Sequence, residues 1–137
     1  MEEKFLYKEL SYKIVGLCME IHREYGYLHK EGVYHNVLIE KLTSNSLDFK
    51  SKQKINIYSK ETGKRLGCYE PDFIVDNKII LELKATPITL KQFEIQLSEY
   101  IKISEYEVGY LINFGSQSLY FKRIIYTNNN KGFIAQV

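Results

Sequence analysis

Tryptophan is absent from this 137-residue chain, and cysteine, proline and methionine occur only twice each. Two thiols, Cys18 and Cys68, are too few for a disulfide scaffold or a four-thiolate zinc site, so both are expected to be reduced and structural. No Pro- or Gly-rich linker, internal repeat or low-complexity tract interrupts the chain, which predicts a single domain over residues 1–137. Charge of one sign is not in excess: 19 basic and 17 acidic side chains leave a formal net charge of +2. That is too mild to declare a nucleic-acid binder and does not exclude one. No apolar run reaches the length of a bilayer span, and Met1-Glu2-Glu3-Lys4 has none of a signal peptide's apolar character. These absences point to a cytoplasmic domain without a membrane partner. What is plentiful is tyrosine, with twelve residues.

The hydrophobic period changes along the chain. Leu6, Leu10, Ile14, Leu17 and Ile21 recur at helical spacing, and Tyr25-Gly26-Tyr27 closes that helix with a glycine suited to a helix end. A second helix is predicted over about 29–42 with Val33, Val37, Leu38 and Leu42 on its apolar side, followed by a Thr43–Ser46 loop. Period-2 segments follow at Gln53–Tyr58, Cys68–Val75 and Lys78–Lys84, the last two joined by an Asp76-Asn77 turn. Pro87 ends the third segment, and a helix over about 89–103 starts at Thr89 as N-cap. Glu107–Asn113 and Leu119–Tyr126 are the last strands, with a Gly115–Ser118 turn between them. From Asn128 the tail is expected to be loose until Phe133-Ile134. The order predicts an α/β core, a mixed β-sheet flanked by helices.

The hairpin around Asp76-Asn77 carries the chemistry. A symmetric turn there sets Asp72 beside Leu81, and a slip of one residue would bring it abreast of Glu82. Alternation turns Ile79, Leu81 and Leu83 to one face and Ile80, Glu82 and Lys84 to the other. Two acids and a lysine on an apolar sheet are costly unless paired or bound to a cation. Paired carboxylates suit Mg²⁺ or Mn²⁺, and a lysine beside them suits phosphate charge. A plain cross-strand salt bridge from Lys84 to Asp72 or Glu82 is the competing reading. Gln96 and Tyr100 share one face of the third helix, and Glu31 opens the second helix, where the dipole favours an acid.

In this order, Glu31, Pro71-Asp72, Glu82-Leu83-Lys84 and Gln96-x-x-x-Tyr100 resemble the PD-(D/E)XK nuclease superfamily in its RecB-like arrangement. The nearer likeness is to its small stand-alone GxxExxY branch, from Glu20-Ile21-His22-Arg23 to Leu111–Gly115. Leu28 stands where that branch has its first-motif glycine, which bears on the turn before the second helix. The resemblance implies a restriction-endonuclease-like fold and metal-dependent phosphodiester hydrolysis, with DNA as the expected partner. Asp72, Glu82 and the Leu83 carbonyl would hold Mg²⁺ or Mn²⁺, with Glu31 completing the set directly or through water. Lys84 would assist the attacking water, Gln96 would position the phosphate or a water, and Tyr100 would brace the helix or contact the nucleic-acid backbone.

Lys50, Lys52 and Lys54 alternate along an extended segment and are candidates for gripping phosphates, or else they protect a sheet edge. Lys64-Arg65 and Lys122-Arg123 are comparable candidates. His22 either lines the substrate cleft or is a hydrogen-bonded structural histidine. A catalytically silent nucleic-acid-binding or protein-interaction module with the same fold remains the alternative, as does hydrolysis of another phosphate ester. So small a chain leaves room for a homodimer or a larger protein partner.

Overall fold

A computed structural model describes residues 5–133. Two helices, α1 (Lys8–Tyr25) and α2 (Glu31–Ser44), precede five strands: β1 (Phe49–Ser51), β2 (Ile55–Tyr58), β3 (Arg65–Tyr69), β4 (Phe73–Val75) and β5 (Ile79–Lys84). Helix α3 (Lys91–Lys102), strands β6 (Val108–Asn113) and β7 (Tyr120–Ile125), and a 3₁₀ turn at Asn128–Asn130 complete the order. The main sheet runs β1-β4-β5-β6-β7, while β2 and β3 form a separate ribbon. Only β5 and β6 are parallel among its neighbours, and α3 is the crossover between them. The expected mixed sheet flanked by helices is what forms.

Each face of the sheet has its own core, because side chains alternate. Ile79, Leu81 and Leu83 pack with Val108, Tyr110 and Ile112 beneath Ile14, Ile21, Leu38 and Leu42 of α1 and α2. Ile74, Ile80 and Leu111 face the other way, under Leu97 and Ile101 of α3. Burying a leucine or isoleucine side chain contributes roughly 1.5–3 kcal/mol, so these two layers hold the sheet between the helices.

Several expectations are corrected. Cys68–Val75 is not one strand: Glu70-Pro71-Asp72 separates β3 from β4, because proline cannot donate to a ladder. Lys50, Lys52 and Lys54 do not share one continuous strand face, since β1 ends at Ser51 and Lys52 takes a left-handed backbone (φ 54°). The apolar side of α2 uses Tyr34 and His35, and Val33 is exposed. Leu90, not Thr89, is the N-cap of α3, because the Thr89 hydroxyl instead accepts a hydrogen bond from Asn113. The tail is anchored as far as it is described. Lys131 is buried and donates to the Ser104 and Tyr106 carbonyls (3.0 and 2.7 Å), and the Asn128 amide donates to Glu107. Ile134 lies outside the described residues.

The turn between α1 and α2 needs no glycine at Leu28. Gly26 takes the positive φ (75°), and the Tyr34 hydroxyl donates to the Gly26 carbonyl (2.7 Å) while accepting from the His29 amide (3.2 Å). The Tyr34 ring stacks on Phe114 (4.7 Å) beyond the end of β6, which fixes the start of α2 against the sheet.

Gly115 is where β6 turns back against the end of β5. A Cβ there would collide with the Thr86 nitrogen and the Ala85 carbonyl carbon, both backbone atoms. Gly16, inside α1, has nothing within 4 Å of its would-be Cβ. Gly115→Ala is therefore expected to lower stability by about 1–3 kcal/mol, whereas Gly16→Ala raises it by about 0.5–1 kcal/mol. Urea unfolding midpoints of the two variants check the opposite signs.

Candidate active site

The β4–β5 hairpin closes with the Lys78 amide donating to the Val75 carbonyl (3.0 Å), and Asp76 and Asn77 both take positive φ. The ladder nevertheless pairs Val75 with Ile79 and Phe73 with Leu81, which leaves Lys78 as an extra residue beyond the turn. The next pair outward is Asp72 and Glu82. This is the one-residue slip that the symmetric reading of the turn misses, and it brings the two carboxylates abreast on the α3 side of the sheet.

Their contacts tie them together. The Leu83 amide donates to Asp72 Oδ2 (2.7 Å), and the Asp72 amide donates to Glu82 Oε1 (3.2 Å). The Tyr69 hydroxyl also donates to Glu82 Oε1. The Tyr69 ring in turn lies on that of Tyr100, with centroids 3.8 Å apart and planes 4° from parallel. Lys84 follows Glu82 on the same face, and its ammonium sits 4.6 Å from the Phe93 ring centroid. Phe93, Gln96 and Tyr100 thus form one stripe of α3 along this edge. Gln96 is exposed between the two aromatic contacts.

Glu31, in the first turn of α2, is exposed as a residue, yet its carboxyl is held above the ordinary carboxylate range. Partial desolvation is the main cause, Asp72 adds to it, and Lys84 and Lys52 oppose it. Burial and the neighbouring Asp72 charge push Glu82 up to about 7, against the lowering effects of the Tyr69 hydroxyl, the Asp72 amide and Lys84. Two acids that are expensive to ionise together make a place where added positive charge is favoured.

The donor set fits a hard divalent cation. Among the described residues, Asp72 Oδ1 takes no hydrogen bond and has Lys52 Nζ at 3.9 Å, and Glu82 Oε2 takes no hydrogen bond. Among those residues no three His, Cys, Asp or Glu side chains converge as a ready-made cluster. Glu31 is therefore coupled to Asp72 through charge rather than joined to it and Glu82 in one shell. Two carboxylates with waters filling the other positions is the habit of Mg²⁺ rather than of a closed structural site.

The remaining candidates fall elsewhere. Lys52 stands beside Asp72, its amide donating to the Asp72 carbonyl (3.0 Å), and the preceding Ser51 hydroxyl meets His35 Nε2 (2.7 Å). Lys50 and Lys54 line a shallow concavity with Ile74, Glu105 and Tyr106. His22 Nε2 meets the Ser116 carbonyl (2.9 Å) and so ties α1 to the β6–β7 turn. Arg65 bonds Asn56, and Arg123 bonds the Leu6 carbonyl over the Phe5 ring. Cys18 is buried, with its thiol pushed up to about 12 by desolvation, and Cys68 is exposed; both are free. An apolar concavity of about 820 Å³ beside α1, lined in part by Tyr12, Met19 and Phe121, holds none of the site residues.

A sequence model of the PD-(D/E)XK nuclease superfamily matches residues 8–124, from the start of α1 into β7. The chain belongs to the PD-(D/E)XK nuclease superfamily. No curated protein matches it. Superfamily members are usually nucleases and generally use divalent metals. In this PD-(D/E)XK chain Asp72 immediately precedes β4, Glu82-Leu83-Lys84 ends β5, and the Gln96-x-x-x-Tyr100 helix is the crossover that follows.

Two contributors are not legible from motif spacing. Tyr69 reaches Glu82 from the separate β2–β3 ribbon, and only its place three residues before Asp72 hints at it. Asn113 is fully buried with all its side-chain bonding satisfied: Oδ1 accepts from the Thr86 and Gly115 amides, and Nδ2 donates to the Thr86 carbonyl and Thr89 hydroxyl. It thereby fixes the connection that delivers α3 to the site.

Glu82 titrates from 4.5 in an unfolded chain to about 7 when folded. The folded state then holds its proton more tightly, so without metal stability falls as pH rises between those two values. Glu82→Gln keeps an acceptor for Tyr69 and removes the buried charge. It is expected to be more stable than the native chain by about 2–3 kcal/mol at pH 8, with the gain disappearing below pH 4.5. Metal-free urea unfolding across that range measures it.

Proposed function

We propose that this chain is a metal-dependent nuclease that hydrolyses phosphodiester bonds in DNA, using Mg²⁺ or Mn²⁺. The observation that carries the reading is the abreast pair Asp72–Glu82, with Glu82 raised by burial and by its partner, and with the Lys84 ammonium on the same sheet face. Asp72 and Glu82 would hold the ion together with the Leu83 carbonyl, and Glu31 would act on it through a water, in keeping with its electrostatic coupling to Asp72. A bound divalent ion supplies Lewis acidity to the phosphodiester and to the attacking water.

The protein's own groups do the rest. Lys84, held against Phe93, lends positive charge to the phosphate as its oxygens gain negative charge, and orients the attacking water. Lys52, standing on the opposite flank of Asp72, meets a phosphate of the approaching strand. Gln96, exposed on α3 between Phe93 and Tyr100, holds the scissile phosphate or a water. A place in the GxxExxY branch belongs to the same proposal. Its support is Tyr34, which clamps the α1–α2 turn and so holds Glu31, one helical turn earlier, at the edge of the site.

Purified protein is expected to cleave DNA when Mg²⁺ or Mn²⁺ is added. Lys84→Ala is expected to cut the rate by about 10²–10³-fold with an unchanged circular dichroism spectrum. The absence of cleavage of single- and double-stranded DNA and RNA with either metal would overturn the reading.

A further inference from the structure

Tyr69 comes from outside the main sheet, at the end of the β2–β3 ribbon, yet its hydroxyl ends on Glu82 Oε1 and its ring lies flat on Tyr100. A phenylalanine would fill the same space beneath Tyr100, so packing by itself does not account for the hydroxyl. Glu82 has few other restraints. Of its two carboxylate oxygens, one accepts from Tyr69 and the Asp72 amide, and the other takes no hydrogen bond among the described residues. Tyr100 stands one helical turn beyond Gln96 and touches neither carboxylate by a hydrogen bond; its contact is the face of Tyr69.

We propose that Tyr69 and Tyr100 form a two-ring strut that fixes the Glu82 carboxylate in its metal-holding orientation. The strut rests on the reading of Asp72 and Glu82 as metal ligands, and it assigns Tyr100 a positioning role exerted through Tyr69 rather than a contact with DNA. One oxygen of Glu82 is spent on the strut and on the Asp72 amide, which leaves the other oriented for the ion. Ligating carboxylates are usually held by such outer partners, and losing one typically costs 10–100-fold in metal affinity. Helix α3 thereby supports both ends of Glu82-Leu83-Lys84, the carboxylate through Tyr100 and Tyr69 and the ammonium through Phe93.

Mn²⁺ titration of the full chain by calorimetry tests this without requiring cleavage. Tyr69→Phe keeps the stacked ring and loses only the hydroxyl, so Mn²⁺ should bind about 10–100-fold more weakly while the metal-free circular dichroism spectrum stays that of the native chain. Tyr100→Phe, which keeps the ring, should bind Mn²⁺ as the native chain does, and Tyr100→Leu should bind it more weakly. These two Tyr100 variants decide the matter even if Tyr69→Phe does not fold. Native affinity in Tyr69→Phe, or in Tyr100→Leu, overturns the strut. So does a loss in Tyr100→Phe as large as in Tyr69→Phe, because the Tyr100 hydroxyl would then be acting on the ion itself. Asp72→Asn separates the two levels. If it abolishes binding while Tyr69→Phe and Tyr100→Leu do not weaken it, only the strut fails. A native chain that takes up no Mn²⁺ removes the metal reading and the strut with it.

Discussion

Asp72 and Glu82 stand abreast because Lys78 is one residue more than a symmetric Asp76-Asn77 turn would use. In an antiparallel pair, directly opposed side chains share a face, and a one-residue shift sends every side chain of a strand to the other side. Without the extra residue Asp72 would share a face with Leu81, toward α1 and α2, and Glu82 would be alone beneath α3. The local conformation that creates the offset needs left-handed backbone at both turn residues, which Asp and Asn tolerate better than most side chains.

The offset concentrates charge in a sheet that is otherwise apolar. Glu82 and Glu31 are both raised by partial burial and by Asp72, while Lys84 works against the rise at both and Lys52 at Glu31. Desolvated like charges at this spacing are a standing cost to the fold. The structure tolerates it through hydrogen bonds rather than through ion pairing alone, with the Leu83 amide on Asp72 and both the Asp72 amide and Tyr69 hydroxyl on Glu82. Acids gathered and perturbed in one place are consistent with the active-site role proposed for this region.

Support for that region is drawn from distant parts of the chain. Asn113 fixes the start of the crossover, Gly115 lets the β6–β7 turn press on the end of β5, and Tyr34 clamps the helix that carries Glu31. Asn113 pairs with Lys84 in the ladder and Tyr34 follows Glu31 by one helical turn, but none of the three carries a charge. Leu28 is instructive in the opposite sense. It stands where the GxxExxY resemblance would have glycine, and the turn still forms because Gly26 supplies the positive φ.

The hydrophobic periods by themselves determined the helices, most of the strands, and which residues of β5 share a face, since alternation is a local property of an extended chain. The order of acid, Glu-x-Lys and Gln-x-x-x-Tyr residues is likewise in the sequence, and it carries the resemblance to the superfamily. Only the tertiary structure decided the hairpin register, the separation of Lys52 from Lys50 and Lys54, and the approach of Tyr69 to Glu82. Those features depend on where one segment lands against another, and that landing is fixed by two buried layers acting at once rather than by the preferences of any single stretch.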